Sequence, residues 1–291
     1  MGFWKSFFGG ETDPEEEKKK AAARNFDLLK YDGVKAMRIG QFDYAVKCFE
    51  KALETKEDPE VRDYLSRALI QTGHLNEAMQ QLQLMMRLLP TVVDVKVQAA
   101  SVAFMMEDYD LMAEISEQAL KQMPNEPMLH LLYAKAEIGR KAYVQAVARL
   151  TASISLRPDL VESRLLRAQV LFRLGDMGSV QQDMEWLMAH AADNEDVLML
   201  NARLQTALQH PDEAVSLYGK VIDLNPFRIE AFRERGRLRL EAGDKEGAEA
   251  DMKMVLELNP QEMAGVSGEY SAEGIEHKVK QAYSNMNPFG I

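Results

Sequence analysis

Small residues recur along this chain at a fixed interval, each set among helix-forming residues. One series runs Gly33, Ser66, Ala100, Ala134, Ala168, Ala202 and Gly236. A second runs Ala45, Ala78, Met112, Ala146, Val180, Ala214 and Ala248. In both, the first step is 33 residues and every later step is 34. The larger residues Phe49, Leu82, Leu150, Met184, Tyr218 and Met252 stand four positions beyond the second series, on the same helical face. A third series of the same period holds Pro90, Pro124, Pro158, Pro226 and Pro260, with Ala192 in the slot that lacks a proline. Proline has no N–H and clashes with the preceding turn, so each marks the end of a helix. The clearest instance is 227–260: two short helices, a turn at Ala242-Gly243-Asp244 and a stop at Asn259-Pro260. Such helix pairs are predicted at about 26–59, 59–92, 93–126, 127–160, 161–194, 195–228 and 229–260.

A period of this size signals stacked supersecondary units. Each is too small to bury its own apolar faces and must stack on its neighbours, with small residues where helices approach closely. The pattern resembles the tetratricopeptide repeat, whose helix-turn-helix unit has small residues in both helices and a terminal proline. The resemblance covers about residues 26–260. It implies an all-α, right-handed α-solenoid of about seven repeats with a C-terminal capping helix. The aromatic positions of the family's first helix hold Leu29, Arg62, Lys96, His130, Arg164, Leu198 and Phe232 here, so only the first and the last two are apolar. Met112 and Ser116 also depart from the pattern, which predicts a weakened third repeat. Turn glycines are expected at Gly40, Gly73, Gly139, Gly175 and Gly243, with Glu107-Asp108 and His210-Pro211 in their place in repeats three and six.

The ends divide into three predicted parts. Residues 1–12 form an arm in which Phe3, Trp4, Phe7 and Phe8 would share one face of a helix. Residues 13–260 form the solenoid, opened by Asp13 as N-cap, Pro14 at the first helical position and Glu15 to Glu17 at the positive helix end. Residues 261–291 form a loop, a capping helix with the stripe Ala272, Ile275, Val279, Ala282 and Met286, and a tail.

Composition narrows the function. Of the 291 residues 46% are hydrophobic, and glycine and proline are not enriched, so the chain is folded rather than disordered. A net charge of −11 opposes nucleic-acid binding, which needs a basic footprint. The single cysteine, Cys48, excludes an intrachain disulfide and suits a reducing compartment, consistent with the cytoplasm. No apolar run approaches the roughly 18 residues of a membrane span. The five histidines are scattered without metal spacing, Cys48 has no partner base, and there is no phosphate loop. The reading is therefore not an enzyme, with no cofactor and no metal.

What remains is binding. In proteins resembling this family the first helices line the concave face, and ligands lie along it. Offsets from the first small-residue series place Val97, Phe104, Met105, Leu131, Ile138, Leu165, Phe172 and Met199 there as an apolar stretch. The basic residues Arg67, Lys135, Arg173, Arg203, Arg233 and Arg237 lie among or beyond them. Either these residues form a groove for a peptide or helix with apolar anchors and acidic flanks, or some of them pack between helices. Family members that clamp an acidic carboxy-terminus use Lys and Asn in their first helices. The equivalent series here, Val34, Arg67, Ser101, Lys135, Gln169, Arg203 and Arg237, has no Asn, which opposes that function. The expected partner is a protein or peptide. The alternative is a self-assembling or membrane-proximal structural protein that uses residues 1–12 against a membrane surface or another copy.

Overall fold

The computed structural model describes residues 14–259. The aromatic arm, the Asp13 cap and the expected capping helix lie outside the described residues. Fourteen helices fill the described chain: α1 Pro14–Arg38, α2 Phe42–Thr55, α3 Pro59–Gln71, α4 Leu75–Leu88, α5 Val93–Met105, α6 Tyr109–Gln122, α7 Pro127–Gly139, α8 Tyr143–Leu156, α9 Val161–Leu174, α10 Met177–His190, α11 Glu195–Ala207, α12 Pro211–Leu224, α13 Ile229–Glu241 and α14 Lys245–Leu258. Odd-numbered helices are the first of each pair and even-numbered the second. The chain divides into two compact units, Met1–Gln145 and Ala146–Ile291.

In the first unit every helix from α1 to α6 packs on the one that follows it, and first helices also meet, α1 with α3 and α5 with α7. Its core gathers Phe26, Phe49, Val61 and Leu65 around the small residues Ala36, Ala45 and Ala52, and then Met79, Leu82, Val102 and Met112 around Ala99, Ala100 and Ala103. In the second unit α9 to α14 pack in the same successive way and α9 meets α11. Val180, Met184, Leu187, Leu200 and Leu204 form one core cluster, and Leu198, Met199, Leu217, Tyr218 and Val221 the next. Both small-residue series are buried throughout, and Ala45, Ala78, Met112, Ala146, Val180, Ala214 and Ala248 are all 0% exposed.

The third repeat is filled in reverse. Met112 stands where the others carry a small or β-branched residue, and Ser116 stands where they carry a large one; both are fully buried. The larger side chain has moved one helical turn along α6, so the volume is largely kept, and Met112 joins an extensive core cluster. The Ser116 hydroxyl is buried without a hydrogen-bond partner among the described residues.

One backbone turn joins the two helices of every pair. Gly40, Gly73, Glu107, Lys141, Gly175, Gln209 and Gly243 all have positive φ, between +56° and +86°. The next residue's N–H returns to the carbonyl five positions earlier: Gln41 to Ala36, His74 to Leu69, Asp108 to Ala103, Ala142 to Glu137, Asp176 to Leu171, His210 to Gln205 and Asp244 to Arg239. This is the Schellman closure, which satisfies carbonyls that a helix end would otherwise leave unpaired. Two expectations are corrected. Gly139 is not a turn glycine but the last residue of α7, where the Tyr109 ring lies so close that a Cβ would strike it. In repeat six the left-handed residue is Gln209, and Pro211 instead opens α12. Side-chain caps set several helix starts: Asp58 accepts from the Glu60 and Val61 N–H groups, and Asn194 accepts from Asp196 and Val197.

Candidate interaction surfaces on the first helices

The first unit presents two large apolar side chains at the C-terminal end of α5. Phe104 is 44% and Met105 53% exposed. The Phe104 ring meets Tyr109 edge-on, with centroids 6.3 Å apart, which fixes its orientation. Lys135, on α7, holds its Nζ 5.6 Å from the centroid of the same ring. An apolar surface and a cation are thus side by side on adjacent first helices. Val97 and Ile138 are half-buried, and Val97 packs against two core clusters. Arg67 is exposed on α3 and pairs with Asp63 one turn away at 2.7 Å.

In the second unit the sequence-derived basic residues converge on a carboxylate. Glu234 of α13 is 8% exposed, with Arg237 Nε 3.4 Å from its Oε2. Arg237 also reaches the Glu241 carboxylate with Nη1 at 2.7 Å. Burial pushes the Glu234 carboxyl above the usual carboxylate range, against the opposing pull of Arg237, Arg203 and Arg233. Tyr218 of α12 shares the cluster: burial and the Glu234 charge push its hydroxyl up, while a hydrogen bond with Thr206 and the nearby Arg203 act against them. Arg203, Arg233 and Arg237 thus lie near one buried carboxyl, and Arg237 is shared with Glu241. Glu234 itself escapes the offset reading, yet a signal exists. Leu132, Leu166 and Leu200 occupy its position in the three preceding repeats, so a charge there is out of pattern.

Two candidate groove residues are core instead. Leu131 is 0% and Met199 2% exposed, so neither can meet a ligand on the surface. Both are the fifth residue of a first helix, a place where Val97 and Leu165 keep partial exposure. Leu165 and Phe172 are half-buried against the core of the second unit, and Arg173 is exposed. Cys48 is buried in α2. Among the described residues no group of three or more His, Cys, Asp or Glu could hold a metal ion, and no helix is long and apolar enough to cross a membrane.

Helix pairs joined by one recurring turn, and packed in succession within each unit, define an all-α repeat protein of the solenoid class. The tetratricopeptide repeat family model matches residues 199–262. A tetratricopeptide repeat protein from Parabacteroides merdae aligns over 90% of this chain and all of its own, with a TM-score of 0.67 and 14% identity. The pilF structure from Pseudomonas aeruginosa aligns over 76% of this chain and 99% of its own, with a TM-score of 0.60 and 16% identity. YrrB, described as a tetratricopeptide repeat protein with an unusual peptide-binding site, aligns over 62% of this chain and 94% of its own, at 0.52 and 12%. No curated protein matches the chain. The chain thus has the fold of tetratricopeptide repeat proteins, and its residues 199–262 match that family's model.

Proposed function

We propose that this chain is a protein-interaction scaffold, not an enzyme, and that its first helices take a peptide or helix with apolar anchors and acidic flanks. The observation that carries the reading is the pair Phe104 and Met105, left exposed at the end of α5 with Lys135 beside the Phe104 ring. Large apolar side chains on a folded surface are a free-energy cost that a partner's apolar residue relieves, roughly 1.5–3 kcal/mol for each side chain buried. Methionine suits such a contact because its flexible thioether repacks around different ligands. Arg203, Arg233 and Arg237 supply the basic counterpart in the second unit, steering an acidic ligand more than adding affinity. The peptide-binding site named for YrrB supports the reading by analogy.

The test is selection of displayed dodecapeptides on the full chain, followed by binding kinetics. Phe104→Ala with Met105→Ala should raise the off-rate of apolar clones at least about tenfold. Arg203→Gln should slow association of acidic clones and flatten its salt dependence. If both variants stay folded and bind every clone as the parent does, the first helices are not the binding face.

A further inference from the structure

The second helices of the first unit carry a cleft that the foregoing reading does not use. It encloses about 380 Å3 between α4, α6 and the start of α5, with Met86, Arg87, Lys96, Leu111, Glu114 and Ile115 among its lining. Lys96 lies in its wall and is only 7% exposed. Its ammonium donates to the Pro90 carbonyl and to Gln122 Oε1, both neutral acceptors. An ammonium has three N–H donors, so two are used and the charge is not neutralised. Glu114 shares the cleft, but its Oε1 accepts from Gln118 Nε2 at 2.9 Å and it makes no ion pair with Lys96.

Comparison with the other repeats isolates what is unusual. The position of Lys96 is held by Arg62 in repeat two and Arg164 in repeat five, and each pairs with a carboxylate, Glu57 or Asp183. In repeat four it is held by His130, whose Nε2 donates to the Pro124 carbonyl at 2.9 Å. Pro124 is the counterpart of Pro90, so Lys96 and His130 share the duty of bonding that carbonyl, and an imidazole fulfils it. Lys96 fulfils the same duty and adds a charge that no described residue balances. Burial holds its ammonium below the ordinary lysine range. A buried cation without a counter-ion is costly, and a carboxylate brought to it would remove that cost. Arg87 is exposed at the same cleft and makes no ion pair among the described residues.

We propose that this cleft docks an acidic side chain of a partner protein. Its carboxylate would sit between Lys96 and Arg87, and a flanking apolar residue would lie against Met86, Leu111 and Ile115. The site lies between the second helices α4 and α6 and the start of α5, and it uses none of the residues of the first-helix reading.

Dodecapeptides selected on the full chain, with counter-selection on a Lys96→Met variant, supply the probe. The proposal expects clones with an acidic residue beside an apolar one. Their binding should weaken at least about tenfold on Lys96→Met, on Arg87→Gln and when the acidic residue becomes its amide. The same clones should bind Phe104→Ala with Met105→Ala as they bind the parent, which separates this cleft from the first-helix face. Arg87 is exposed, so Arg87→Gln keeps the test decisive even should Lys96→Met fold poorly. The proposal is overturned if no clone is sensitive to Lys96→Met or Arg87→Gln, or if the sensitive clones ignore the acid-to-amide change.

Discussion

Arg167 and Asp183 close a two-pronged ion pair inside repeat five, with Nε to Oδ2 at 2.9 Å and Nη2 to Oδ1 at 2.6 Å. Arg235 and Asp251 reproduce it two repeats later at 3.0 and 2.6 Å. Both carboxylates are all but sealed from solvent, at 1% and 2% exposure. Between them, repeat six holds Asn201 and Leu217 at the equivalent positions, so the same backbone accepts either solution.

That alternative gives a direct exchange experiment. Asp183→Ala leaves Arg164 and Arg167 without their buried partner and should cost about 3–5 kcal/mol. Arg164→Leu with Arg167→Asn and Asp183→Leu copies the filling of repeat six, Leu198, Asn201 and Leu217, and should cost clearly less than the single change. Urea melts of the three proteins decide it, and a triple variant as unstable as Asp183→Ala would refute the interchange.

Met112 and Ser116 should likewise be coupled. Met112→Ala opens a cavity worth about 2–5 kcal/mol. Ser116→Leu overpacks and should cost about 1–3 kcal/mol. Together they restore the size order of the other repeats and remove a hydroxyl that has no partner, so the double variant should lose less than the sum of the two. Additive losses in a double-mutant cycle would show that the two sites do not share their volume.

Two glycines predict opposite signs. A Cβ on Gly33 would lie 2.5 Å from the Phe49 ring, so Gly33→Ala should destabilise by about 1–3 kcal/mol. Gly219, within α12, has only the Arg235 side chain at 3.6 Å, so Gly219→Ala should stabilise by about 0.5–1 kcal/mol. Thermal melts of both proteins give the comparison, and equal signs would contradict the packing described.

Glu234 makes stability depend on pH. Its carboxyl is raised in the folded chain, chiefly by burial, above the unfolded value near 4.3. Between those two values the folded state keeps a proton that the unfolded state has lost. The stabilising contribution is therefore full below the unfolded value and is lost as pH rises through the folded one. Glu234→Gln does not titrate, so its stability relative to the parent should improve as pH rises above the unfolded value and level off once the folded carboxyl has ionised. Denaturation at several pH values measures this, and a constant difference would refute the shift.

The repeat was legible because close helix contact admits few residues. Ala100, Ala134, Ala168 and Ala202 are all fully buried, and a 34-residue spacing of such positions has one simple architectural meaning. The exposure of the first-helix residues was only partly legible. Periodicity says which face of a helix packs, but not how far along the helix its neighbours extend. Leu131 and Met199 share the inward offset yet sit mid-helix and are covered, whereas Phe104 and Met105 close α5 and remain exposed. The turns misled for a related reason. Glycine at Gly139 reflects the approach of the Tyr109 ring, while Lys141 accepts the left-handed backbone without being glycine.

The corner of each helix pair has a stereochemical consequence. At Gly40, Gly73, Gly175 and Gly243 an added Cβ would meet nothing within 4 Å. Space is therefore free there, and an ordinary side chain meets only the strain of the left-handed backbone, which Glu107, Lys141 and Gln209 bear in the other repeats. A residue of opposite chirality prefers the φ that these corners already have. D-alanine placed at Gly175 by chemical ligation should fit without strain and narrow the unfolded ensemble, raising stability by about 0.4–1 kcal/mol, whereas L-alanine at the same site should lower it. Each corner is thus a point at which mirror-image chemistry can enter an otherwise natural chain.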